Sequence, residues 1–118
     1  MILAVLGDLM FSMKIKAAAN QLGVDLKFSR SLDGALETMR KNPPTLVIFD
    51  LNDDRIGPLA IVAAMKQDAT LAAVPTIGFA SHVQTDVINA ARAAGVGEVF
   101  ARSAFSNQLG DILTRPPA

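Results

Sequence analysis

Residues 2–6 form an unbroken apolar run, Ile2, Leu3, Ala4, Val5 and Leu6, the mark of a strand buried on both faces. From residue 9 the apolar positions change to helical spacing. Phe11, Ile15, Ala18, Ala19 and Leu22 form one stripe, Lys14, Lys16 and Gln21 fall between them, and Gly23 supplies a stop. Over 24–29 the period shortens to two. Val24, Leu26 and Phe28 alternate with Asp25, Lys27 and Ser29, which predicts an edge strand with one wet face. Ser31 or Asp33 can cap a second helix running through Met39 and Arg40, and Asn42, Pro43 and Pro44 break it. A second unbroken run, Leu46–Asp50, ends on a carboxylate and meets the polar loop 51–57. Gly57 and Pro58 open a third helix to about residue 68. Pro75 leads into a strand over 76–80. Ser81 and Gln84, spaced as in a capping box, open a fourth helix to Ala94. Gly95, Val96 and Gly97 turn the chain into a fifth strand over 98–102. Ser103 can cap a last helix with Phe105, Leu109, Ile112 and Leu113 on one face, ended by Arg115, Pro116 and Pro117.

Five strands alternating with five helices predict right-handed crossovers and a parallel sheet covered on both faces. The expected fold is a flavodoxin-like α/β (βα)5 three-layer sandwich of strand order 2-1-3-4-5, with the wet second strand at an edge. Residues 1–118 read as one domain without repeat or internal linker. The switch point of that order lies between the first and third strands, so Gly7, Asp8 and Asp50 are expected to share one crevice.

Composition narrows the function. Eleven basic residues balance eleven acidic ones, which argues against a nucleic-acid module needing a basic face. Cysteine is absent, which removes disulfides and thiolate metal sites and suits a reducing, cytoplasmic setting. No apolar run approaches the roughly 18–20 residues of a membrane span, and no membrane partner is expected. Without Tyr or Trp, no aromatic platform for bases or sugars is evident. The ending, Arg115 to Ala118, reads as a tail or the start of a linker.

These residues, taken in order and nearly ungapped, resemble a response-regulator receiver domain (CheY-like) over essentially the whole length. Ile2 to Val5 resembles the first receiver strand, and Gly23 lies at the receiver spacing after the first helix. Asp50 falls where that family carries its phosphoacceptor, Gly57 resembles the glycine opening the third helix, and Pro75 and Gly95 occupy familiar positions. The resemblance implies signalling by protein contact, not enzymatic turnover. The implied partners, signalling proteins or a second copy in a homodimer, would use the face of the fourth helix, fifth strand and fifth helix. Ala90, Ala93, Ala94, Val99, Ala101 and Ala104 offer small side chains there.

The chain departs from that family at most of its functional positions. The two acidic positions at the end of the first strand read Leu6 and Gly7, with Asp8 one residue late. The hydroxyl position ending the fourth strand is Ala80, with Ser81 next to it. The lysine–proline pair ending the fifth strand is Arg102 and Ser103. The aromatic switch position is Val99, beside Phe100. The loop after Asp50 is a residue shorter and carries Asp53 and Asp54.

Phosphoryl transfer to a carboxylate needs a metal and a fixed cation to absorb charge. Asp50 can supply one oxygen, and Asp8 can cap the first helix or reach a metal through water. Asp53 and Asp54 can add oxygens or remain solvated. Arg102 can pair with Asp50 in a bidentate bridge, which would make Asp50 structural. The expected function is therefore a degenerate receiver, or pseudo-receiver, without cofactor. The alternatives are a phosphoacceptor receiver using Mg at Asp50, or a flavodoxin-like domain binding a small ligand in space opened by Gly7. His82, the one histidine, is expected to face solvent, and Met10, Phe11 and Met13 to pack against core and loops.

Overall fold

A computed structural model describes residues 1–81 and 84–115; His82 and the final prolines lie outside them. The elements are β1 (Ile2–Val5), α1 (Leu9–Leu22), β2 (Leu26–Ser29), α2 (Leu32–Lys41), β3 (Leu46–Asp50) and α3 (Pro58–Gln67). There follow β4 (Thr76–Ala80), α4 (Thr85–Ala94), β5 (Glu98–Ala101), α5 (Arg102–Asn107) and α6 (Leu109–Leu113). All strand pairs are parallel, in the order β2-β1-β3-β4-β5. This is the flavodoxin-like order expected from the alternation.

The strand patterns explain that order. β1, β3 and β4 are buried at every position and occupy the centre, whereas β2 and β5 carry exposed residues and take the edges. Side chains alternate between two apolar layers. Leu3, Val5, Val47 and Phe49 meet α2 and α3 through Met39, Ile61 and Met65. Ile2, Ala4, Leu6, Ile48 and Phe79 meet α1, α5 and α6 through Ile15, Phe105 and Ile112. Gly23 and Gly95 end α1 and α4 at φ 69° and 104°, left-handed values that glycine adopts without steric cost.

Several boundaries differ from the sequence reading. Val24 and Asp25 belong to the turn before β2. Ser31, not Asp33, caps α2, its hydroxyl accepting from Gly34 N at 3.0 Å. The Ser81–Gln84 capping box does not form: α4 starts at Thr85 after Gln84, which caps it with no side-chain hydrogen bond. Ser103 lies inside α5, whose cap is Ala101, because Arg102 leaves the sheet one residue earlier than expected. The last helix is interrupted at Gln108, giving α5 and α6. Met10 and Met13 are 81% and 63% exposed, not packed into core or loops; only Phe11 of that trio turns inward, onto Phe79.

Gly78 illustrates how tightly the centre is packed. A β-carbon there would stand 2.6 Å from Leu51 Cδ1 and 2.8 Å from its Cγ. Gly78→Ala is expected to destabilise the domain by about 1–3 kcal/mol, the usual range for overpacking, read as a lower urea midpoint with unchanged slope.

Candidate functional site

The carboxyl ends of β1 and β3 open into a crevice of about 430 Å3 lined by Asp8, Asp50, Asn52, Asp53, Asp54, Arg55 and Arg102. Asp50 is buried at its floor, with 4% of its surface exposed. Its Oδ1 accepts from Asn52 N at 3.0 Å and its Oδ2 from Arg102 Nη2 at 3.2 Å.

Arg102 reaches this point because it begins α5 directly after β5. Its fork is divided and not bidentate on Asp50: Nη1 donates to Asp8 Oδ2 at 3.5 Å. The guanidinium carbon lies 4.7 Å from the Phe11 ring centre and 5.1 Å from that of Phe79, so two aromatic faces hold it by cation–π attraction. Asp8 takes the expected capping role and adds an ion pair that the sequence did not announce. Its Oδ1 caps α1 by accepting from Phe11 N at 3.0 Å, while its Oδ2 meets Arg102.

Asp53 and Asp54 part company. Asp53 folds under the loop, its Oδ2 accepting from Gly7 N at 3.1 Å, with Arg55 Nε at 3.8 Å from Oδ1. Asp54 is exposed at the rim. A β-carbon on Gly7 would stand 2.6 Å from Asp53 Oδ2. The space expected to be free for a ligand beside Gly7 is thus occupied by a carboxylate of the chain itself. Leu6 turns into the apolar layer with α1.

At the other wall, Ala80 is fully buried and Ser81 is half-buried. Asn52 ties the two loops together: its Oδ1 accepts from Ser81 N at 2.9 Å and its Nδ2 donates to Gln84 Oε1. Val99 and Phe100 on β5 are half-buried, with Phe100 edge-on to Phe105. Asn52, Phe11 and Phe79 were not singled out from the sequence for this site. An asparagine two residues after a buried carboxylate was the one local sign available.

Burial pushes the Asp50 carboxyl above its ordinary pKa. The Asn52 N–H and the Arg102 guanidinium pull it back, while the Asp53 and Asp8 charges push it up. The resemblance implies a divalent cation bound by Asp50 and carboxylates ending the first strand, but the donor set does not fit one. Leu6 and Gly7 offer no side-chain oxygen, Asp53 is turned to the backbone, and Arg102 engages Asp50 Oδ2. Among the described residues, no group of three or more His, Cys, Asp or Glu side chains is arranged to hold a metal ion. No described helix is long and apolar enough to cross a membrane.

Fold and strand order define a flavodoxin-like α/β domain. No family model and no curated protein matches the sequence, and the likeness lies in three dimensions. The chain is similar to the chemotaxis response regulator CheY4 of Vibrio cholerae, with TM-score 0.83 and 16% identity over 97% of this chain and 95% of that one. It is also similar to the response regulator RPA3017 in red light signaling of R. palustris, with TM-score 0.80 and 15% identity over 94% and 89%. The Mn(2+)-bound form of the response regulator Rcp1 gives TM-score 0.78 and 21% identity over 99% and 97%.

Proposed function

We propose that this domain is a degenerate receiver-like module of cytoplasmic, two-component-type signalling. It acts through protein–protein contacts and not through Mg-dependent phosphorylation. The observation that carries the reading is the Arg102 fork. One arm engages the oxygen of Asp50 that would otherwise face a phosphoryl donor, and the other engages Asp8. Two further features support it. Ala80 supplies no hydroxyl to a phosphoryl group, and the end of β1 supplies no carboxylate to a metal. The partner, a signalling protein or a second copy of the chain, docks on the face of α4, β5 and α5, where Ala90 and Ala93 are exposed and Val99 is half-buried.

Incubation with millimolar Mg2+ and a small acyl phosphate, followed by intact-mass measurement, tests the reading. The expected spectrum shows unmodified protein. A single phosphoryl adduct that disappears in Asp50→Asn would overturn it.

A further inference from the structure

α4 begins without the fixings that start the earlier helices. α1 and α2 are each capped by a side chain, Asp8 and Ser31, that accepts from the first turn. Gln84 makes no such bond at the start of α4, and Gln84, Thr85 and Asp86 are exposed. Val87 and Ile88 pack only partly against the core, and Ala91, further along, is the one buried residue of the helix. A segment with so few buried contacts lies at the low-stability end of a fold and opens locally unless something else holds it.

Asn52 supplies that hold. From the loop after β3 its side chain reaches both ends of the β4–α4 connection. Its Oδ1 accepts from Ser81 N at 2.9 Å where the chain leaves β4, and its Nδ2 donates to Gln84 Oε1 at the entry to α4. The pair of bonds needs one group that accepts and donates at once, which an amide does and a carboxylate does not. The residue is anchored in turn by its backbone. Asn52 N donates to Asp50 Oδ1 at 3.0 Å, and Asp50 Oδ2 accepts from Arg102 Nη2 at 3.2 Å. A continuous path of hydrogen bonds thus runs from the start of α5, through the floor of the crevice, to the start of α4.

We infer that Asn52 is a latch: it fixes the first turn of α4 and makes the position of that turn depend on Asp50. It is a positioning residue. Without it, the outer end of α4 opens while the sheet stays closed. The consequence for partner docking rests on the α4, β5 and α5 face proposed above; the latch itself does not.

Hydrogen exchange of backbone amides in the 15N-labelled full chain, with neither phosphodonor nor partner present, tests the latch. The diagnostic amides are Ser81 N and Ile88 N, which donates to Gln84 O at 3.2 Å. Asn52→Ala is expected to lower protection at both by about fivefold to tenfold, the scale of one net hydrogen bond. Val24 N and Ala35 N, bonded to Ala19 O and Ser31 O at the ends of α1 and α2, are expected to keep their protection. Asn52→Asp keeps the acceptor and loses the donor, so Ser81 N should stay protected while Ile88 N loosens. Gln84→Ala, at an exposed position that leaves the core untouched, should give the same split. Asp50→Ala should loosen both amides in the wild-type background and add nothing in the Asn52→Ala background. Unchanged protection at Ile88 N in Asn52→Ala and Gln84→Ala would overturn the latch, and so would an equal loss at Val24 N and Ala35 N. Asp50→Ala acting equally in both backgrounds would overturn the dependence on Asp50. None of these outcomes turns on whether Asp50 accepts a phosphoryl group or on where a partner docks.

Discussion

Arg102→Ala is expected to destabilise the domain by about 2–3 kcal/mol at pH 7. This is below the 3–5 kcal/mol typical of breaking a fully buried ion pair, because the Arg102 side chain is 35% exposed. The loss has two sources. Asp50 keeps its buried position but loses the cation 3.2 Å away, and Phe11 and Phe79 lose the guanidinium packed on their faces. Urea unfolding followed by far-ultraviolet circular dichroism measures it. The deficit should shrink as the pH falls through the raised pKa of Asp50, since a protonated carboxyl no longer needs the cation. An equal deficit at low and neutral pH would show that Arg102 contributes packing alone.

Asp50→Asn should behave oppositely. The folded state holds the Asp50 proton more tightly than the unfolded chain does. The native protein therefore loses stability as pH rises from the ordinary carboxylate range through that raised value, and the loss is complete above it. Removing the charge is expected to leave stability at pH 7 equal or slightly higher, and to abolish this part of the pH dependence. In the double variant, the cost of Arg102→Ala should fall well below its cost alone.

Phe79→Ala is expected to cost about 3–5 kcal/mol, the range for deleting a buried phenylalanine. Phe79 is fully buried, stacks on Phe105 with ring centres 4.8 Å apart, and meets Phe11 at 5.0 Å. The cavity would open beneath Arg102. Phe79→Leu, which keeps most of the volume but no π-face, should cost clearly less. A loss below about 1 kcal/mol for Phe79→Ala would mean that the cluster collapses freely around the gap.

The sheet was legible because its signals are periodic and local. The unbroken runs of β1 and β3, the alternation in β2 and the punctuation at Gly23, Pro75 and Gly95 each reflect burial or backbone geometry within a few residues. At the site, a need was legible but its full solution was not. Asp50 at a strand end required a partner, and Arg102 was an available cation. The division of its fork between Asp50 and Asp8, and the aromatic faces of Phe11 and Phe79, follow from where three elements meet. The bond from Gly7 N to Asp53 joins positions 46 residues apart, and no periodicity announces it. The interruption at Gln108 likewise has no proline or glycine at that position to mark it.

The pairing of β1 has a consequence during synthesis. Ile2 emerges 44 residues (46 − 2) before its inner partner Leu46. At ordinary translation rates of about 5–20 residues per second, that interval is about 2–9 s. Meanwhile a strand destined for complete burial has only the edge strand β2 to pair with. The nascent chain is therefore expected to engage a chaperone most strongly before residue 46 appears, and to lose that affinity once β3 closes over the inner edge of β1.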